Sequence, residues 1–182
     1  GRHVDGAAGV VSRLSDHVSY FTEWSSLVVA ISTTLLALAP TRATLLRRVL
    51  RLDSLLMITV TAIVYAVLLA PKAVVTGWSV LTNPWQHIVV PAVTVIVFLG
   101  WGPRGWIDGK VVAWSLALPV AWLAWALVRG AIVGSYPYAF LDVATYGYAS
   151  VFQTIAMILA FGLAVALGYW GIDRLLSRAR AA

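Results

Sequence analysis

Three short segments carry the side chains that could do chemistry. Thr22, Ser25 and Ser26 stand at i, i+3 and i+4 in an apolar run, which puts three hydroxyls on one helix face. A hydroxyl in a membrane helix ordinarily bonds the carbonyl four residues back or helps close helix packing. It becomes a nucleophile only with a base in reach. His87, in Asn83-Pro84-Trp85-Gln86-His87, is the one imidazole inside an apolar segment. It is either such a base or an interfacial group bonded to a neighbouring helix. The third segment, Leu127 to Asp142, places Arg129, Tyr136, Tyr138 and Asp142 at the end of a long apolar run. Glu23, beside Thr22, needs a cation, a helix N-terminus or a wet cavity, and Arg129 is the candidate cation if it does not snorkel to headgroups.

The elements that must position these residues are membrane helices. The chain is 61% hydrophobic and 11% charged, with a mean hydropathy of +0.89. A soluble fold of 182 residues leaves too little surface to water for that composition. Five apolar runs, at about 19–39, 53–70, 85–101, 111–133 and 148–171, approach or reach the ~20 residues that cross a bilayer. The expected fold is all-α: a polytopic transmembrane bundle of five helices forming one membrane-embedded domain over residues 1–182. Nine Trp and seven Tyr suit its two interfacial belts.

Lys and Arg orient the bundle. Arg42, Arg47, Arg48 and Arg51, then Arg104 and Lys110, then Arg174, Arg178 and Arg180 fall on one set of loops, against Lys72, Arg2 and Arg13 on the other. The positive-inside rule puts the first set, and the C-terminus, in the cytoplasm. Thr22, His87 and Arg129 each then lie about one turn inside the outer boundary, in one layer ~5 Å deep, with Tyr136, Tyr138 and Asp142 in the loop above. Ionisable groups gathered so are site candidates.

Local signals add detail. Asn83 reads as an N-cap and Pro84 as the first helical residue, and Pro91 removes the donor that would meet the His87 carbonyl. Trp114, Trp122 and Trp125, at roughly helical spacing, read as packing or belt residues. The residues 1–6 carry no Met, signal peptide or lipidation motif, so a processed or truncated start is expected, and an odd helix count with an outside N-terminus fits a lost helix as well as it fits five. A net charge of +6 spread over short loops makes no nucleic-acid face. There is no cysteine, no paired ligand spacing for a metal and no Gly-rich phosphate loop, so no cofactor is expected.

Taken together, Tyr20 to Ser26, Asn83 to Pro91 and Arg129 to Asp142 resemble the androgen-induced-gene and androgen-dependent TFPI-regulating protein family, in its bacterial branch of small polytopic membrane proteins. The resemblance runs from about residue 14 to 172. It implies a threonine hydrolase of fatty-acid esters in a bacterial plasma membrane, with Thr22 as nucleophile and His87 as base. It also implies a helix ahead of Thr22.

Resemblance and depth point to the same pair. The expected mechanism has His87 taking the Thr22 proton as the hydroxyl attacks an ester carbonyl, with Asn83, Arg129 or helix-terminal amides holding the oxyanion. Asp142 or Glu23 would orient the imidazole, and a lipid ester would come from the outer leaflet. Two other readings use the same residues. A membrane scaffold or binding protein would keep them as a structural network. A small-solute transporter would place its site at the midplane between broken helices. Oligomeric state is not legible.

Overall fold

A computed structural model describes residues 7–181, and their regular secondary structure is all helical, with no strand among the described residues. The residues 1–6, read above as a truncated start, lie outside that range with Arg2, and the Lys72 and Arg180 side chains lie outside the description too. A short helix α1 (Ala7–His17) precedes α2 (Phe21–Leu38), α3 (Leu45–Leu69), α4 (Ser79–Trp101), α5 (Gly109–Val133) and α6 (Val143–Ala181). The last five are long and apolar enough to cross a membrane. Their outward faces carry large apolar side chains such as Leu38, Trp101 and Ile132, each more than three-quarters exposed, as suits contact with lipid.

Helix ends follow ordinary capping chemistry. Asp108 caps α5 by accepting from the Val111 amide at 2.9 Å. Asp142 caps the first turn of α6 by accepting from the Ala144 and Thr145 amides at 3.0 and 3.2 Å, and Gly147, at φ 73° and ψ 157°, kinks the chain between that turn and the long span after it. Gly134 ends α5 in the left-handed conformation, φ 72°, and returns its N–H to Gly130 at 2.8 Å.

The spans begin earlier than hydropathy suggests at α3, α4 and α6. Arg47, Arg48 and Arg51 are helical because side-chain contacts draw them onto protein. Arg47 donates to the carbonyls of Leu35 and Ala39, and Arg48 donates to Trp106 O at 2.7 Å and Asp108 at 2.6 Å. The expected helix start at Asn83 is also wrong. Helix α4 begins at Ser79 and carries Asn83 and Pro84 inside it.

Two π-helical turns interrupt the regular geometry. One covers Tyr65–Leu69 at the end of α3 and the other Trp85–Val89 in α4. In the second, Val90 N–H reaches back to Trp85 O, a wider turn lying between Pro84 and Pro91. Helices α2 and α3 form an antiparallel hairpin joined near its open end by Ser25 and Thr61, whose hydroxyls are 3.0 Å apart. The core falls into two layers. Leu52, Leu55, Phe98, Val111 and Ala166 fill one end, and Trp122, Ala126, Leu141 and Val151 fill the other.

Candidate functional site

Thr22 and His87 meet at the second of these ends. Thr22 is the second residue of α2 and is 8% exposed. Its Oγ1 lies 3.4 Å from His87 Nε2, at the long edge of hydrogen-bond range. The other ring nitrogen, Nδ1, sits 3.0 Å from the Asn83 carbonyl oxygen. A carbonyl only accepts, so Nδ1 carries a proton, and in the neutral imidazole Nε2 presents its lone pair to the threonine. This is the tautomer a general base requires.

The imidazole is also held from its face. Tyr65 stacks on it with ring centroids 3.8 Å apart and planes 23° off parallel. The two π turns thus face one another and carry the stacked pair. Such turns concentrate at functional sites. Sequence reading missed Tyr65. Its signal was a lone tyrosine near the outer end of an otherwise aliphatic run.

Tyr138 closes the other side of Thr22. Its oxygen accepts from the Phe21 amide at 3.1 Å and also bonds the Thr22 amide and hydroxyl. Tyr138 lies in the loop between α5 and α6, and its ring stacks on Phe140 at 5.2 Å. Burial raises the pKa of this phenol above the ordinary tyrosine value, so it stays protonated at neutral pH. With backbone amides feeding its oxygen, its own proton is left to donate.

Below these groups runs an apolar cavity. Thr22, His87, Tyr65 and Tyr138 line its polar end, and Val60, Leu56, Leu116, Trp122 and Gly162 line the rest. Space not filled by protein atoms amounts to about 700 Å³, part of it open to the outside.

The remaining sequence candidates support this arrangement from a distance. Glu23 does not pair with Arg129. It accepts from Gln86 Nε2 at 3.1 Å and faces His17 Nε2 at 3.4 Å, tying the start of α2 to the turn that carries His87. Arg129 is buried and joins the carboxylate of Asp16, the Ser15 hydroxyl at 3.1 Å and the Ser135 carbonyl at 3.3 Å. It fastens α1 to the loop instead of reaching Thr22, because Asp16 precedes α2 on the same side. The Tyr136 ring packs directly on Gly130, which leaves no room there for a Cβ. Asp142 is occupied in capping α6 and does not orient the imidazole, so neither expected carboxylate holds it. Asn83 contributes through its carbonyl, one helical turn before His87, and not as an N-cap. Of the three tryptophans, Trp122 is buried and donates to Ser19 O at 3.0 Å, while Trp114 and Trp125 are exposed. Ser25 is fully buried and bonds Thr22 O and Thr61, a packing role.

No protein-family profile, curated protein or solved structure matches the chain.

Proposed function

We propose that this protein is an intramembrane hydrolase of lipid esters in which Thr22 is the nucleophile and His87 the general base. The observation that carries this reading is an imidazole whose Nδ1 is held by Asn83 O, with its Nε2 facing a buried hydroxyl at the mouth of an apolar cavity. A hydrolase of apolar esters needs those three parts together. The resemblance to the androgen-induced-gene family supports the same pair.

In the first half-reaction, Thr22 Oγ1 attacks the ester carbonyl carbon as His87 Nε2 takes its proton. The Tyr138 hydroxyl, whose oxygen is already fed by the Phe21 and Thr22 amides, donates its own proton to the developing oxyanion. Collapse of the tetrahedral intermediate breaks the ester C–O bond, and the departing alkoxide takes the proton from His87. The acyl group is then on threonine. In the second half-reaction, water loses a proton to His87 and attacks the acyl-threonine, and the carboxylic acid leaves as Thr22 regains its proton.

The distribution of Arg and Lys supports an orientation with the site near the extracytoplasmic face and the C-terminus in the cytoplasm. A plasma membrane of bacterial type is the setting the resemblance implies, with membrane lipids as the surrounding partners. A non-catalytic lipid-binding scaffold is the second reading, favoured by the resting contact of the Thr22 hydroxyl with Tyr138. A transporter fits less well, because the polar cluster lies near one end of the bundle.

Purified protein in detergent or liposomes, assayed on an acyl-length series of lipid esters with Thr22→Ala and His87→Ala, separates these readings. Turnover that each variant lowers by about 10²-fold or more supports the hydrolase. Folded wild type that is inert on every ester, with Thr22→Ala changing only thermal stability, supports the scaffold.

A further inference from the structure

The cavity has a direction and a floor. Tyr65, stacked on His87, marks its polar end, and Leu56 on the same helix lies nine residues deeper, a drop of about 14 Å at ~1.5 Å per residue. Beneath Leu56 the bundle is solid. Leu52, Leu55, Phe98 and Ala166 are 0–1% exposed and pack as one cluster that includes Leu56. Across from Leu56 stands Gly162 of α6, where a Cβ would meet Leu56 Cδ1 at 3.7 Å. That is ordinary contact distance, so a methyl at 162 would rest against Leu56, while a larger side chain would take cavity space at this level.

We propose that the cavity measures acyl length: it holds one medium acyl chain, on the order of ten carbons, and Leu56 with Gly162 sets the limit. This rests on the reading of Thr22 as the acylated residue. The ester carbonyl sits at Thr22 and the acyl tail runs down toward Leu56. The alcohol portion stays outside, where it leaves after the first half-reaction. The bare glycine and apolar lining give the tail no polar partner along its course beyond Thr61, whose hydroxyl is engaged by Ser25.

Two measurements on the full chain test the proposal. In the first, decanoic acid bearing a terminal diazirine is photo-cross-linked to wild-type protein and the adducts are mapped. Saturable labelling of the Leu56 and Gly162 segments is expected, and labelling confined to lipid-facing residues overturns the proposal. In the second, binding and ester turnover are compared for hexanoyl, decanoyl and palmitoyl ligands. Gly162→Leu should raise the ratio of hexanoyl to decanoyl binding roughly tenfold, and Leu56→Ala should move the preference toward longer chains. If Gly162→Leu fails to fold, Gly162→Ala and the cross-linking map decide. Binding that follows this order without any turnover upholds the length limit and removes the hydrolase. Turnover indifferent to both substitutions upholds the hydrolase and removes the length limit.

Discussion

Asn83 O and His87 Nδ1 lie 3.0 Å apart, one helical turn from each other, and this contact decides which nitrogen of His87 faces Thr22. A backbone carbonyl does here what a carboxylate does in many hydrolases: it fixes the tautomer. It adds no charge to a site bordered by lipid, where an unpaired carboxylate would be costly. The neighbouring charge, Glu23, is held by Gln86 and His17 instead.

Tyr138→Phe tests the proposed oxyanion donor. The ring contacts with Tyr20, Trp122 and Phe140 survive, and only the hydroxyl is lost. Expected is a fall in kcat of about 10²-fold with KM little changed, measured on the best ester substrate. Loss of the acceptor for the Phe21 amide should also cost about 1 kcal/mol in thermal or denaturant unfolding. Because burial raises the phenol pKa, the donor form persists past the ordinary tyrosine value of ~10 and is lost as pH rises through the raised one. Wild-type rates should therefore show an alkaline limb above that value, and Tyr138→Phe should lack it.

Arg129 and Gly130 should act on the loop that carries Tyr138. Arg129→Met strips the buried contacts to Asp16, Ser15 and Ser135, at a cost of roughly 2–4 kcal/mol. Arg129→Lys should not restore it, since one ammonium does not match a fork with partners on each arm. Gly130→Ala forces the Tyr136 ring aside and should cost about 1–3 kcal/mol. Thermal unfolding of the three variants checks the order.

Much of this was legible in advance, for a physical reason. Hydropathy registers every residue of a span, so five helices emerge from composition and run length alone. The convergence of Thr22 and His87 followed from counting turns from a shared boundary. Pairings were not legible. Glu23 and Arg129 are close in depth, but α1 supplies Asp16, and a short amphipathic helix outside the spans leaves little trace in hydropathy. Asn83-Pro84 looks like a helix start because that dipeptide serves both at caps and inside π-distorted helices. Tyr65 was invisible because its stacking on His87 depends on two π turns, which sequence periodicity does not report.

Asp108 ties the opposite end of the bundle. Its carboxylate accepts from the Val111 amide and meets Arg48, and these contacts, the amide first, lower its pKa below the usual value. A depressed folded-state pKa gives stability that is present above the unfolded value and lost as pH falls through the folded one. Asp108→Asn should therefore lower stability at neutral pH by under about 1 kcal/mol, seen as a lower Tm, given the exposure of this carboxylate. The gap from wild type should close below about pH 4. A pH series of melting curves for both proteins checks this.

The most direct measurement is the site of covalent modification by a fluorophosphonate, mapped by peptide mass spectrometry on protein reconstituted in lipid. The adduct is expected on Thr22, absent in Thr22→Ala and strongly slowed in His87→Ala. A folded protein that acquires no adduct, or acquires it on another residue regardless of Thr22, would contradict the Thr22–His87 pair as nucleophile and base.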